Sequence, residues 1–177
     1  AKREEGGFKE TYHGLSIPPG GVVFILDTSG SMNDLYDAVD QSTLYQHFSK
    51  ALGKSLERLT SSTSFSIVLF DSAIRVWKHS CVQADEESVN EAKDYLKYEK
   101  PFGGTNIYSA LRTALEIEGV QTIFLLTDGA PSVGLTAENE IIHEITRANR
   151  HKRVRINTLL AGESKADFLD TLARLNG

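Results

Sequence analysis

A chain of 177 residues can bury a substantial core as one domain, and its 40 % hydrophobic and 24 % charged residues are the balance of an ordinary globular protein. A net charge of -5 argues against nucleic acid as the default partner, because a phosphate backbone calls for a basic face. No apolar run approaches the roughly 20 residues of a membrane span, and the single cysteine, Cys81, can close no internal disulfide.

The chain opens Ala-Lys-Arg-Glu-Glu without a methionine, which fits a piece cut from a longer protein. Residues 1–20 are polar and punctuated by Gly6-Gly7 and Pro18-Pro19, and they read as a lead-in packed along the outside. The domain proper is expected over 21–177. It starts with VVFIL (22–26), a short continuously apolar run with β-branched residues, the pattern of a strand buried on both faces. Leu44, Phe48, Ala51, Leu52, Leu56 and Leu59 recur at helical spacing and predict an amphipathic helix. FSIVLF (65–70) is the next strand, and IRVW (74–77) follows so closely that the pair must form an antiparallel hairpin.

Asp85-Glu86-Glu87 opens a second helix, where acidic residues complement the helix dipole. A Gly-Gly linker, PFGGT (101–105), leads into a third helix carrying Ile107, Ala110, Leu111, Ala114 and Leu115 on one stripe. TIFLL (122–126) is a second fully apolar strand. Ile141, Ile142, Ile145 and Ala148 mark a fourth helix, which ends in a basic cluster at 150–153. Residues 154–161 form a fifth strand, and Phe168, Leu169, Leu172 and Leu175 mark a last helix. Strands alternating with helices predict an α/β three-layer sandwich: a Rossmann-like, mostly parallel sheet with one antiparallel edge strand and helices on both faces. The chain stops at Asn176-Gly177, where one more strand is due.

The two most apolar strands both run into an aspartate, Asp27 and Asp128. In an open α/β sheet, ligands gather beyond the carboxyl ends of the strands where the strand order reverses. Facing carboxylates repel, and a cation between them resolves the conflict. Ser29 and Ser31, two apart, can point the same way from an extended turn. Thr105 follows Gly103-Gly104, which permit close backbone approach. The donor set is oxygen only, which suits Mg²⁺, Mn²⁺ or Ca²⁺ and excludes zinc and copper.

Asp27-x-Ser29-x-Ser31, Thr105 within Gly103-Gly104-Thr105-Asn106, and Thr127-Asp128-Gly129 together resemble the metal-ion-dependent adhesion site of von Willebrand factor A domains. The resemblance covers about residues 20 to 175, and Tyr12-His13-Gly14 before VVFILDTSGSM is also similar to bacterial members. It implies a complete site in which Ser29, Ser31 and Thr105 touch Mg²⁺ while Asp27 and Asp128 act directly or through water. It also implies a protein partner that completes the coordination with Asp or Glu, adhesion without catalysis, no nucleic acid, no membrane insertion, and a monomeric isolated domain. Met32, Asp34, Phe102 and Gly104 are expected at the partner-binding rim, although Phe102 reads equally well as core.

Other readings compete. Asp, Ser and Thr are favoured helix caps, so turn residues alone would account for any one of these positions. A Mg²⁺-dependent phosphotransferase or hydrolase of Rossmann-like fold can also begin with Asp after a first strand. Here Ser29 stands where its second carboxylate belongs, and no GxxxxGK[ST] is present. The acidic turn 33–43 is read as a solvated loop, the alternative being that Asp34 or Asp37 reaches the ion. Asp34, Asp37 and Asp40 lack the spacing and glycine of an EF-hand.

Overall fold

The computed structural model describes residues 10–161 and 167–177. Of the lead-in, residues 1–9, with Gly6-Gly7, lie outside the described residues. The described part forms a small hairpin, β1 (Thr11–Tyr12) and β2 (Leu15–Ser16). His13 and Gly14 turn it with φ of 47° and 81°, the positive values a type I′ turn requires at its two central residues. Tyr12 corrects the expectation of a segment lying along the outside. Its ring is 1 % exposed and meets Phe24 and Phe124 edge-on at 5.2 and 5.8 Å. The Glu10 carboxylate fastens this hairpin further, accepting hydrogen bonds from the Thr60 amide and the Thr63 hydroxyl, each at 2.9 Å.

β3 (Gly20–Asp27) is the central strand, and its burial on both faces accounts for the continuous apolar run. A 3₁₀ turn (Gly30–Asn33) follows, then a second hairpin of β4 (Leu35–Asp37) and β5 (Ser42–Thr43). The expected solvated loop at 33–43 is therefore an ordered hairpin. Asp37 and Asp40 shape it by accepting the amides of Val39 and Ser42 at 2.7 and 2.8 Å. α1 (Leu44–Leu56) starts at a capping box made by Thr43 and Gln46 and stops short of Leu59.

β6 (Thr63–Phe70) pairs with β3 in parallel, and β7 (Ile74–Val76) returns antiparallel as expected. β8 (Val82–Gln83), not foreseen, adds a second antiparallel pairing to β6. α2 (Glu86–Lys97) begins at Asp85, whose side chain accepts the Ser88 amide. α3 (Ile107–Leu115), β9 (Thr122–Thr127), α4 (Glu138–Asn149), β10 (Arg155–Leu160) and α5 (Asp167–Asn176) complete the order. The sheet runs β10-β9-β3-β6-β7, with β10, β9, β3 and β6 mutually parallel.

Alternation along β3 divides the core in two. Val22, Phe24 and Leu26 face α1 and α2, packing with Phe48, Leu52, Leu56, Ala92 and Leu96. Val23 and Ile25 face α3, α4 and α5, packing with Leu111, Ile141, Ile145, Phe168 and Leu172. Two helical layers thus enclose the sheet, and this mostly parallel α/β sandwich agrees with the alternation read from the sequence.

Phe24 shows how far the core depends on its aromatic centre. It is fully buried and stacks on Phe124 at 5.7 Å while Tyr12 closes the cluster. Phe24→Ala should cost about 3–5 kcal/mol of unfolding free energy, measured by urea denaturation. A loss under about 1 kcal/mol would show that the cluster collapses to fill the space.

Candidate metal centre

β3 and β9 lie side by side in parallel, with Leu26 level with Leu126, so their ends bring Asp27 and the Thr127-Asp128 pair together. Asp27 is 0 % exposed. One carboxylate oxygen accepts the Ser29 amide at 2.7 Å and the other accepts the Thr127 hydroxyl at 2.5 Å. The side chain is therefore fixed from both sides before any ligand arrives.

The alternation of small hydroxyl residues after Asp27 has a structural basis. Thr28 turns inward, its hydroxyl donating to the Phe70 carbonyl at 3.0 Å and its amide to the same carbonyl at 2.7 Å. Ser29 and Ser31 turn the other way, and their hydroxyls meet at 3.1 Å. Ser31 then donates to the Asp128 carboxylate at 3.0 Å. Capping does not account for Ser29, which stands before the 3₁₀ turn without a side-chain cap bond.

The third contributing segment is the linker 101–106. Its backbone is stitched to the first turn: the Phe102 amide donates to the Thr28 carbonyl at 2.8 Å and the Gly30 amide to the Gly103 carbonyl at 2.9 Å. The Asn33 side-chain amide reaches the Pro101 carbonyl at 2.9 Å. Gly103 has φ +79°, where side chains are strained, and a Cβ on Gly104 would lie 2.4 Å from Val133 and 2.9 Å from the Ser132 hydroxyl. The two glycines thus let the chain pass through a gap too narrow for side chains. Thr105 lies buried at its far end, its amide bonded to the Ser132 hydroxyl at 2.9 Å. Asn106, not Thr105, caps α3.

The expected rim divides. Phe102 is 80 % exposed, resolving its two readings in favour of the surface, and Asp34 is exposed while Gly104 is half-buried. Met32 corrects the expectation: it is 0 % exposed. The 3₁₀ turn rotates its side chain away from Ser31 and into the core beneath α1 and the hairpin. Thr127 escaped the sequence reading as a positioning residue, although a β-branched hydroxyl at a buried strand end facing an aspartate was its signal.

Burial pushes the Asp27 carboxyl up to about 6, against the lowering effect of its Thr127 and Ser29 hydrogen bonds, and Asp128 adds repulsion. Asp128 is raised too, by burial first and also by the charge of Asp34. Among the described residues no group of three or more His, Cys, Asp or Glu forms a cage for a metal. The oxygens converging here suit a hard cation that keeps some of its water, and not zinc or copper. A buried carboxylate carrying a raised proton affinity beside neutral hydroxyls fits such an ion.

A family model for the von Willebrand factor type A domain matches residues 20–177. The chain is 33 % identical over 159 residues to inter alpha-trypsin inhibitor heavy chain 4 of Mus musculus, covering 82 % of this chain and 16 % of that protein. It is 33 % identical over 147 residues to inter-alpha-trypsin inhibitor heavy chain H4 of Homo sapiens, covering 76 % of this chain and 15 % of that protein. The chain thus spans about a sixth of the length of these relatives. Among solved structures, a von Willebrand factor type A protein from Catenulispora acidiphila superposes with TM-score 0.64 at 19 % identity, covering 92 % of this chain and 44 % of that one. Manganese-loaded Plasmodium vivax TRAP protein superposes with TM-score 0.60 at 17 % identity, covering 87 % of this chain and 62 % of that one. These two likenesses concern the fold. The chain belongs to the von Willebrand factor type A domain family.

Proposed function

We propose that this domain holds a divalent cation at Ser29, Ser31, Thr105, Asp27 and Asp128, and that it thereby binds a protein partner presenting an Asp or Glu. Mg²⁺ is the first choice, with Mn²⁺ or Ca²⁺ as alternatives. The observation that carries this is Asp27, a carboxylate buried to 0 % exposure, with hydroxyls and an amide around it and, among the described residues, no cation in the groups that set its proton affinity. A bound divalent ion supplies the missing positive charge and an open place for an outside carboxylate. The residues do the rest. Thr127 and the Ser29 amide hold Asp27 in one orientation, and the Ser31 hydroxyl joins the Ser29 hydroxyl to the Asp128 carboxylate. Three of the five donors are neutral hydroxyls, which leaves the site receptive to a further anionic ligand. Phe102, at 80 % exposure, offers an apolar contact beside it.

This assignment includes no turnover. Among the described residues no histidine hydrogen-bonds to Ser29 or Ser31, and the side-chain partner of Ser31 beyond Ser29 is the Asp128 carboxylate, which this reading assigns to the cation. Phosphate-ester hydrolysis that disappears in Asp27→Ala would favour the competing phosphotransferase or hydrolase.

Titration with Mn²⁺, followed by electron paramagnetic resonance, should reveal one bound ion per chain, with affinity reduced about tenfold or more in Asp128→Ala. No binding at millimolar Mn²⁺ sinks the proposal. The core clusters include none of the five donors, so chelation should leave the far-UV circular dichroism unchanged while abolishing carboxylate-partner binding.

The same carboxylate predicts a pH dependence in metal-free protein. Its ordinary value of 3.8 rises to about 6 on folding, so the folded state keeps a proton the unfolded state has lost. That stabilisation is complete below the unfolded value and disappears as pH rises through about 6, a loss of about 3 kcal/mol. In EDTA the melting temperature should therefore fall between about pH 4 and pH 7, and Asp27→Asn should flatten the fall. Saturating Mn²⁺ at neutral pH should restore stability through linkage. Identical pH profiles for the parent and Asp27→Asn would contradict the assignment.

A further inference from the structure

Arg75 lies on the short edge strand β7, outside the five proposed metal donors. One of its terminal nitrogens, Nη2, reaches three segments at once. It donates to the Thr28 hydroxyl at 2.8 Å, and it pairs with the Asp71 carboxylate at 2.8 Å and the Glu99 carboxylate at 2.9 Å. Each of those residues adjoins a different part of the site. Thr28 sits between Asp27 and Ser29, and its carbonyl accepts the Phe102 amide. Asp71 begins the turn after β6, and its carbonyl accepts the Asn106 amide, next to Thr105, at 3.0 Å. Glu99 begins the linker that carries Phe102, Gly103 and Gly104 to Thr105.

The guanidinium leaves its Nε buried without a hydrogen-bond partner among the described residues. Its orientation therefore serves the Nη2 hydrogen bond to Thr28 and the two ion pairs, and not its own full satisfaction. Its side chain is 32 % exposed while Asp71 and Glu99 are 12 % and 20 % exposed, so water only partly screens these ion pairs. Without the cation, Asp71 and Glu99 would face each other as like charges across the gap that the linker must close.

We infer that Arg75 is a positioning residue for the proposed metal site, holding the first turn, the turn after β6 and the 99–105 linker in one fixed register. It touches no proposed donor side chain and acts through the backbone bonds of Phe102, Gly30 and Asn106. The consequence for metal affinity rests on the proposed function, whereas the consequence for loop order does not.

The test is amide hydrogen exchange by NMR in metal-free protein, comparing the parent with Arg75→Met and Arg75→Lys. Arg75→Met should speed exchange at Phe102, Gly30 and Asn106 by about tenfold or more, while Ile25 and Leu125 in the central strands keep the parent rates. Arg75→Lys, which retains a cation and donors, should restore these rates to within about threefold of the parent. In parallel, Mn²⁺ affinity should fall about fivefold or more in Arg75→Met and recover in Arg75→Lys. Should Arg75→Met not fold, Glu99→Ala severs the linker arm alone and should still speed Phe102 exchange by about threefold. Unchanged loop exchange in these variants, or acceleration spread uniformly over the central strands, would overturn the inference. A parent that binds no Mn²⁺ refutes the metal assignment and leaves the exchange rates to decide the role of Arg75.

Discussion

A carboxylate withdrawn completely from water governs the architecture of this domain's upper end. Burying Asp27 is unfavourable unless its charge is answered, and the fold answers it with hydrogen bonds from Thr127 and the Ser29 amide. Those bonds orient the group without neutralising it, as its raised proton affinity indicates. Replacing it with an apolar residue would remove the penalty, so what the carboxylate offers the fold must be sought outside stability. The neighbouring loops are built as if to keep that group in one place.

Topology explains why the place is here. From β3 the chain crosses first to β6 on one side and later to β9 on the other, so the carboxyl ends of β3 and β9 splay their following loops apart. The linker before α3 lies against the first of these loops. The bonds from the Phe102 amide to Thr28 and from the Gly30 amide to Gly103 couple the two segments through main-chain atoms.

Much of this was legible in the sequence because it is written in local signals. The apolar runs at 22–26 and 122–126 announce strands with both faces covered, and helical periodicity marks Leu44 to Leu56 and Ile107 to Leu115. The alternation at Asp27, Ser29 and Ser31 indicates hydroxyls sharing a side, which their 3.1 Å contact matches. What escaped depends on packing between distant segments. Met32 looks like a rim residue by its place after Ser31, yet a single 3₁₀ turn carries it inward, and turn type at that point is decided by what lies below it. The hairpin at 33–43 is too short and polar to show strand alternation; its order comes from Asx bonds at Asp37 and Asp40 and from Tyr36 stacking on His47 at 3.6 Å. Arg75 is one cation in a three-residue strand, with nothing local to reveal three acceptors gathered around it.

The hairpin that bears Tyr12 redraws the practical limit of the folding unit. The family model begins at residue 20, but the ring of Tyr12 is as fully enclosed as the strands it covers. A version of the chain beginning at Gly20 would uncover the edges of Phe24 and Phe124 and strip away an aromatic side chain that typically buries about 150–250 Å². The result would be a sticky apolar window at the flank of the sheet, prone to drawing two copies together. Residues upstream of the recognised family boundary thus act as the plug that keeps the sandwich sealed, and any recombination or transplantation of this module must carry them along.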